Sequence, residues 1–331
     1  MSNTFNYIAC IIILSCMMAC SNNTGTEKSS SAKKPHKNIP HILERHSCMA
    51  DYGLTGKVKS MYSKRYMLSG DKKVPAGGYY SVFDGHGNIT ESRIDKTANS
   101  PERSYRSMYD ANGNDTLVLE YLADGSQGDS TRCSYDQWGN MLTHISYHNN
   151  QQKWDSQSFK YDSKDSMTDV YSERITPNGI VTITGQYKYD EQGQLTEVVL
   201  EWGGGKQTGQ YSRGANKYNA QGKLAEAAEY DKDGKLTKRS TYNYNEAGKQ
   251  TGFAEYNADS SLKEKWEYAY DARGNKTAAN IYDADGKISE YSTAYEYEYD
   301  NTGNIIKKTT YSVQAGKKTA LQVEEITLTY Y

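Results

Sequence analysis

The sequence predicts an all-β protein, built as an array of β-hairpins that form a curved, spiral antiparallel sheet. Three observations lead to this prediction. The 331-residue chain contains 31 Tyr but only 4 Phe and 4 Trp, which fits half-exposed strands better than an aliphatic core. A Tyr-Asp turn recurs along the chain, and the segments between turns alternate aromatic and polar residues. We divide the chain into a signal peptide (1–20), a flexible tether (21–50) and a hairpin array (51–331).

The first element is an N-terminal export signal. Residues 8–18 are apolar, a run shorter than the ~20 residues that a membrane-spanning helix needs. Such a run is typical of a signal peptide. Cys20 follows the small Ala19 and precedes the polar Ser21, which resembles a bacterial lipoprotein signal whose cysteine carries the lipid. Cys16 is the alternative lipidation site, and a plain secretory signal is the alternative interpretation.

The second element is the tether, which is rich in Ser, Asn and Lys and has no apolar periodicity over residues 21–38. We expect it to hold the folded part off a membrane, with the lipid anchor as the membrane contact. The expected location is therefore outside the cytoplasm, on the periplasmic or surface face of the outer membrane. A net charge of -2, from 39 basic and 41 acidic residues, argues against a nucleic-acid partner.

The array is defined by a turn of the form Tyr-Asp-x-x-Gly. Its aromatic residues stand at 83, 109, 135, 161, 189, 218, 244, 270 and 299, which are 26 to 29 residues apart (135 to 161 is 26, 270 to 299 is 29). An Asp or Asn side chain can accept hydrogen bonds from the backbone ahead of it, and Gly can adopt the left-handed conformation that ends such a turn. The predicted turns include Tyr189, Asp190 and Gly193; Tyr270, Asp271 and Gly274; and Tyr299, Asp300 and Gly303.

A second turn follows the first by 12 residues in most units, as at Tyr282, Asp283 and Gly286 (270 to 282 is 12). Each pair of turns defines a two-strand unit that must stack on its neighbours to bury a face. The strands alternate: residues 291–299 place four Tyr and one Thr on one face. About eighteen antiparallel strands follow, and an open twisted sheet rarely exceeds ~10. We therefore expect the sheet to coil into a spiral, with an incomplete barrel-like sandwich as the alternative.

These turns resemble the YD repeat of the Rhs family, most clearly at Tyr268-Ala-Tyr-Asp-Ala-Arg-Gly-Asn275 and Tyr297-Glu-Tyr-Asp-Asn-Thr-Gly-Asn304. The resemblance covers about residues 80–331. It implies antiparallel strands wound into a spiral sheet, which in the large members encloses a toxin. This chain is too short for such a shell, so the resemblance implies the fold rather than toxin delivery. The lipoprotein signal with the repeats is similar to small YD-repeat lipoproteins of Bacteroidetes-type bacteria.

The sequence offers little catalytic chemistry. It has no Ser-His-Asp order, phosphate-binding Gly loop or Cys-x-x-Cys motif, and it predicts no catalytic residue, metal ligand or cofactor. Cys48 and Cys133 could pair after export or remain separate thiols. Exposed aromatic rows could stack on a ligand, and the alternative is that the tyrosines stack on each other to build the sheet. The candidate ligand-stacking residues are Tyr291, Tyr295, Tyr297 and Trp266.

The predicted function is a non-enzymatic lipoprotein of the cell envelope, whose YD repeats act as a binding or structural module for a protein or glycan ligand. One alternative is a carbohydrate-binding surface protein, which requires exposed aromatics in a groove near carboxylates. The other is a toxin-associated or immunity-type repeat protein, which rests on the family resemblance. The sequence leaves the oligomeric state open.

Overall fold

The computed structural model describes residues 48–70, 72–205, 208–314 and 316–331. This part of the chain contains one short 3₁₀ helix, Met49–Tyr52, and no helix long and apolar enough to cross a membrane. It also contains twenty β-strands. The strands are β1 Val58–Ser69, β2 Lys72–Phe83, β3 Ile89–Ile94, β4 Arg103–Tyr109, β5 Asp115–Leu122, β6 Gln127–Tyr135, β7 Met141–Tyr147, β8 Lys153–Tyr161, β9 Met167–Thr176, β10 Gly179–Tyr189, β11 Leu195–Gly203, β12 Tyr211–Tyr218, β13 Leu224–Tyr230, β14 Leu236–Tyr244, β15 Gln250–Asn257, β16 Leu262–Tyr270, β17 Lys276–Tyr282, β18 Thr293–Tyr299, β19 Ile305–Gln314 and β20 Lys317–Tyr330.

The strands form a continuous meander in which each strand pairs antiparallel with the next. The last strand, β20, also pairs antiparallel with β1, so that Met61 lies opposite Leu328 and Ser63 lies opposite Ile326. The sheet is therefore a closed twenty-stranded barrel. Closure pairs the two terminal strands, whose backbone N–H and C=O groups would otherwise be open to another chain.

The all-β, antiparallel class is confirmed, but the prediction of an open spiral sheet is wrong. A spiral would have left β20 with an unpaired edge. Instead, a hydrophobic cluster seals the seam between the terminal strands, where Val58 and Met61 are buried and Ile326 and Leu328 pack against them. Burying an aliphatic side chain contributes ~1.5–3 kcal/mol. Joining the two edges therefore adds apolar contacts as well as hydrogen bonds.

Several strands alternate between a shielded and an exposed face. Tyr187 is buried on β10 while Lys188 is exposed, and Phe159 is buried on β8 while Lys160 is exposed. Pairing aligns the shielded residues across the sheet, as where Phe159 lies opposite Val170. Because the concave side of a closed sheet is the more shielded, this is the inner face of the barrel. Its hydrophobic cluster across β8 to β11 consists of Phe159, Met167, Val170, Tyr187 and Leu195.

The two kinds of turn lie at opposite ends of the barrel, as alternate turns of a meander must. We call the end with the Tyr-Asp turns the Tyr–Asp rim and the other end the second rim. Residues 48–57 lie against the Tyr–Asp rim: the N–H of Met49 donates to the carbonyl of Gly87 at 2.7 Å, and the N–H of Thr55 donates to Asn304 Oδ1 at 2.7 Å. The N–H of Tyr331 donates to the carbonyl of Lys57 at 3.0 Å. Both ends of the described chain therefore lie at this rim.

Candidate functional site

The motif tyrosines hold the Tyr–Asp rim together from inside the barrel. Near this rim the hydrogen-bonded ladder between hairpins stops; β13 and β14, for example, pair from Glu226 onward but not at Leu224. The hydroxyl of Tyr244 spans that gap and donates to the carbonyl of Leu224 at 2.9 Å. This tyrosine-to-carbonyl bond occurs at seven junctions in all, including that of Tyr244, at 2.6 to 3.0 Å. The donors and acceptors are Tyr109 and Ile89, Tyr135 and Asp115, Tyr161 and Met141, Tyr189 and Met167, Tyr218 and Leu195, Tyr244 and Leu224, and Tyr270 and Gln250.

At the next junction, between β17 and β18, two tyrosines share this task. The hydroxyl of Tyr297 donates to the carbonyl of Lys276 at 2.7 Å. The hydroxyl of Tyr299 accepts from Asn275 Nδ2 at 2.8 Å and donates to Asp271 at 3.2 Å. Burial raises the pKa of Tyr297 to about 12, so that the hydroxyl stays protonated and can donate across the neutral pH range.

The acidic residue of each turn is a local hydrogen-bond acceptor. Asp110 Oδ1 accepts from the N–H groups of Asn112 and Asn114, both at 2.9 Å, and Gly113, at φ 78°, donates its N–H to the Asp110 carbonyl. Asp165 replaces the Gly in one turn and also takes a positive φ, 63°. The same backbone pattern occurs at Asp190 and Gly193, Asp271 and Gly274, Asp283 and Gly286, and Asp300 and Gly303, each after its motif tyrosine, Tyr189, Tyr270, Tyr282 or Tyr299. These acidic residues stabilise their own turns.

The four candidate ligand-stacking residues do not form one exposed row. Tyr295 and Tyr297 share the inner face of β18, where Tyr295 accepts a hydrogen bond from Thr293 at 2.8 Å. Trp266 lies on β16 with its ring centroid 6.3 Å from that of Tyr268. Tyr291 lies in the turn before β18 and is 74% exposed. Of the four, Tyr291 alone presents most of its surface to solvent, and stacking on a ligand remains a prediction.

Cysteines contribute no visible cross-link. Cys20 and Cys16, the two lipidation candidates, lie outside the described residues, as does most of the tether. Cys48 forms a β-bridge with Asn88 at the Tyr–Asp rim, whereas Cys133 lies on β6, and no disulfide joins the two. In the described ranges, His, Cys, Asp and Glu form no group of three or more that could hold a metal ion.

A cavity of about 360 Å³ lies on the inner wall of β3 to β6 and also contacts Tyr79 of β2; the sequence predicted no site there. Its wall contains Glu120, whose side chain is 9% exposed and forms an ion pair with Arg103. The N–H of Asp129 donates to Glu120 Oε2 at 3.0 Å, and the hydroxyl of Tyr105 donates weakly to Oε1 at 3.5 Å. A Cβ at Gly128 would lie 2.6 Å from Oε2, so Gly128 makes room for the carboxylate. Glu120 is thus fixed in position.

The rest of this wall mixes aromatic rings with hydroxyl groups. Arg103 is the single basic residue among those that line the cavity, against the three acidic residues Asp115, Glu120 and Asp129. The cavity therefore disfavours an anion and offers several hydrogen-bonding groups to a neutral ligand. Its rings and hydroxyls come from Tyr79, Tyr105, Tyr109, Ser107 and Thr131.

The sequence does contain one signal for this cavity. A charged residue at a shielded inner position requires a partner, as where Arg174 pairs with the buried Asp155. Arg103 and Glu120 occupy such positions on the neighbouring strands β4 and β5. Only the pairing register brings them together, because 17 residues separate them along the chain (103 to 120).

Comparison with known proteins gives no family. No protein-family model matches the sequence, and no curated protein matches it. A porin-like protein from Bacteroides uniformis is 11% identical with a TM-score of 0.37, over 82% of this chain and 98% of that one. A porin-like protein from Bacteroides vulgatus is 9% identical with a TM-score of 0.24, over 84% and 99%. A TcdB2–TccC3–Cdc42 complex is 14% identical with a TM-score of 0.26, over 72% of this chain and 16% of that one. Similarities this weak identify neither a family nor a function.

Proposed function

We propose that this protein is a non-enzymatic, lipid-anchored protein of the cell envelope, whose barrel of YD-type repeats acts as a binding module. The observation that carries the proposal is how the chain uses its polar side chains. The turn aspartates and motif tyrosines are engaged in building the Tyr–Asp rim. Next to this rim, the inner wall of β3 to β6 keeps an open polar cavity, which is lined by rim residues such as Tyr109 and by Arg103 and Glu120. Side chains held in place by their neighbours are what a binding site needs.

The charge distribution supports a barrel that lies in water, beside the membrane. A barrel embedded in lipid carries an apolar band ~25 Å tall on its outer face. Here Arg239 and Lys265 lie on the outer face, each as the fourth of nine residues in its strand. The Arg239 guanidinium lies 4.3 Å from the ring centroid of Tyr256, and the Lys265 ammonium lies 5.4 Å from that of Tyr282. A basic residue costs ~2–4 kcal/mol at the bilayer midplane. Membrane attachment then depends on the lipidated N-terminus and the tether that follows it.

Metabolic labelling with palmitate tests the anchor. We expect label in the wild-type chain and in Cys16→Ser, and none in Cys20→Ser, because Cys20 supplies the thiol that carries the lipid. In cell fractionation, we expect the wild-type chain in the membrane fraction and Cys20→Ser in the soluble fraction of the envelope. Label that persists in Cys20→Ser and disappears in Cys16→Ser would reassign the anchor, and no label in any of the three chains would contradict a lipoprotein.

A further inference from the structure

We infer that the cavity on the inner wall of β3 to β6 is a binding site for a neutral pyranose sugar. The inference rests on the proposed function as a binding module and names the ligand class of that module. The cavity volume of about 360 Å³ falls within the ~300–1,000 Å³ range of small-molecule sites. The chemistry of the lining decides which small molecule fits.

A pyranose ring has an apolar face of C–H groups and an edge of hydroxyls, and this cavity offers a complement to each. Tyr105 and Tyr109 contribute aromatic surface from one strand, β4, on which an apolar ring face can pack. Ser107, between them on the same face, and Thr131, which pairs with Val118 on β5, contribute hydroxyls. A hydroxyl both donates and accepts a hydrogen bond, which matches the hydroxyls of a sugar.

The ion pair supplies directional recognition. Glu120 presents acceptor oxygens and Arg103 presents several N–H donors, and both groups are planar. Adjacent sugar hydroxyls can bridge such groups, donating to one and accepting from the other. Because the N–H of Asp129 and the ion pair with Arg103 already hold the Glu120 carboxylate, little of its conformational entropy remains to be lost on binding.

The remaining charges disfavour an anionic ligand. The three acidic residues against one basic residue repel an anion. The other two carboxylates already have partners, so each has fewer free acceptor positions for a ligand. Asp115 accepts from the hydroxyl of Tyr135 at 2.7 Å, and Asp129 lies 3.3 Å from His148 Nδ1. A ligand that binds here therefore gains most from many neutral hydrogen bonds.

Saturation-transfer NMR on the full chain tests the site with cellobiose, maltose, lactose and N,N′-diacetylchitobiose as probes. Glucuronic acid and inorganic phosphate are the anionic comparators. Ser107→Trp fills the cavity, and Met108→Trp is the matched control, because Met108 is the next residue on β4 and is 50% exposed on the outer face. Thr131→Phe fills the cavity from β6, in case Ser107→Trp fails to fold. Unchanged thermal unfolding midpoints verify the fold of each variant.

We expect at least one disaccharide to bind the wild type and Met108→Trp equally, and to bind a folded cavity-filling variant at least tenfold more weakly. Neither anion should displace it. The inference is overturned if no disaccharide binds the wild type, if the cavity-filling variant binds as well as the control, or if phosphate or glucuronate occupies the site. These outcomes are independent of palmitate labelling, so a chain that is lipidated but binds no sugar would refute the ligand class and leave the anchor standing.

Discussion

At the scale of single residues, the motif tyrosine explains the composition of the chain. Its ring packs on the inner face, where the ring centroids of Tyr297 and Tyr299 lie 6.4 Å apart, and its hydroxyl donates to a carbonyl of the neighbouring strand, as that of Tyr244 does to Leu224. Phe could supply the ring but no donor. The recurrence of this bond at successive junctions gives a physical reason for 31 Tyr against 4 Phe.

Tyr244→Phe isolates the contribution of one such hydroxyl. We expect the free energy of unfolding to fall by ~1 kcal/mol, because the Leu224 carbonyl loses its donor while the ring still packs. Urea unfolding followed by circular dichroism measures the change. Tyr256→Phe is the matched control, since its ring lies under Arg239 on the outer face. Equal losses in the two variants would show that the hydroxyl at the junction has no special role.

At the scale of elements, the turns are stabilised by their own carboxylates, and this makes them sensitive to acid. Burial raises the pKa of the Asp110 carboxyl, but hydrogen bonds from Asn114, Asn112 and Gly113 outweigh it and leave the pKa below its ordinary value. Asp136 shows the same balance, with Asn140 as its main donor. A carboxyl with a lowered folded-state pKa binds protons more readily in the unfolded chain. These turns therefore contribute stability that acid removes.

We expect the barrel to lose stability as the pH falls through and below the unfolded carboxyl pKa of ~4, because the contribution is complete above that value and is lost as the pH falls through the lower folded value. Asp110→Asn should flatten this dependence. The substitution should preserve the turn, since Asn219 and Asn245 occupy the same place in other turns. Urea midpoints across this pH range give the slope, with the exposed Glu246→Gln as control. A slope unchanged in Asp110→Asn but reduced in the control would contradict the assignment.

Features that depend on neighbours in sequence could be predicted, and features that depend on register could not. A Tyr-Asp-x-x-Gly turn is encoded within five consecutive residues, so its position can be predicted from the sequence. The cavity requires Arg103 to meet Glu120 across a strand pair, and closure requires Met61 to meet Leu328 across most of the chain. Neither β1 nor β20 carries the repeat motif, so their pairing leaves no local pattern to recognise.

At the scale of the whole molecule, closure solves the problem that a long meander creates. Each internal strand has two partners by virtue of its neighbours in sequence, but the first and last strands have one each. The pairing of β1 with β20, over the buried Val58 and Met61, gives both a second partner. The barrel is thereby held by a single non-local seam, while its other junctions join strands that are adjacent in the chain. The seam is the place where a small deletion should have the largest consequence for assembly.

Two deletions distinguish the effect of losing the β1–β20 pairing from the effect of reducing the number of strands. Removing residues 317–331 deletes β20 and leaves unpaired edges on β19 and β1, which are 10 and 12 residues long. We expect this chain to form oligomers or aggregates, because exposed edges recruit other strands. Removing residues 219–244 deletes β13 and β14 but joins Tyr218 to Asn245, which restores the turn and leaves 18 strands (20 minus 2) with the seam intact. Light scattering after size exclusion should find this chain monomeric. If the longer internal deletion aggregates while the terminal deletion stays monomeric, then the number of strands, and not the seam, keeps the sheet closed.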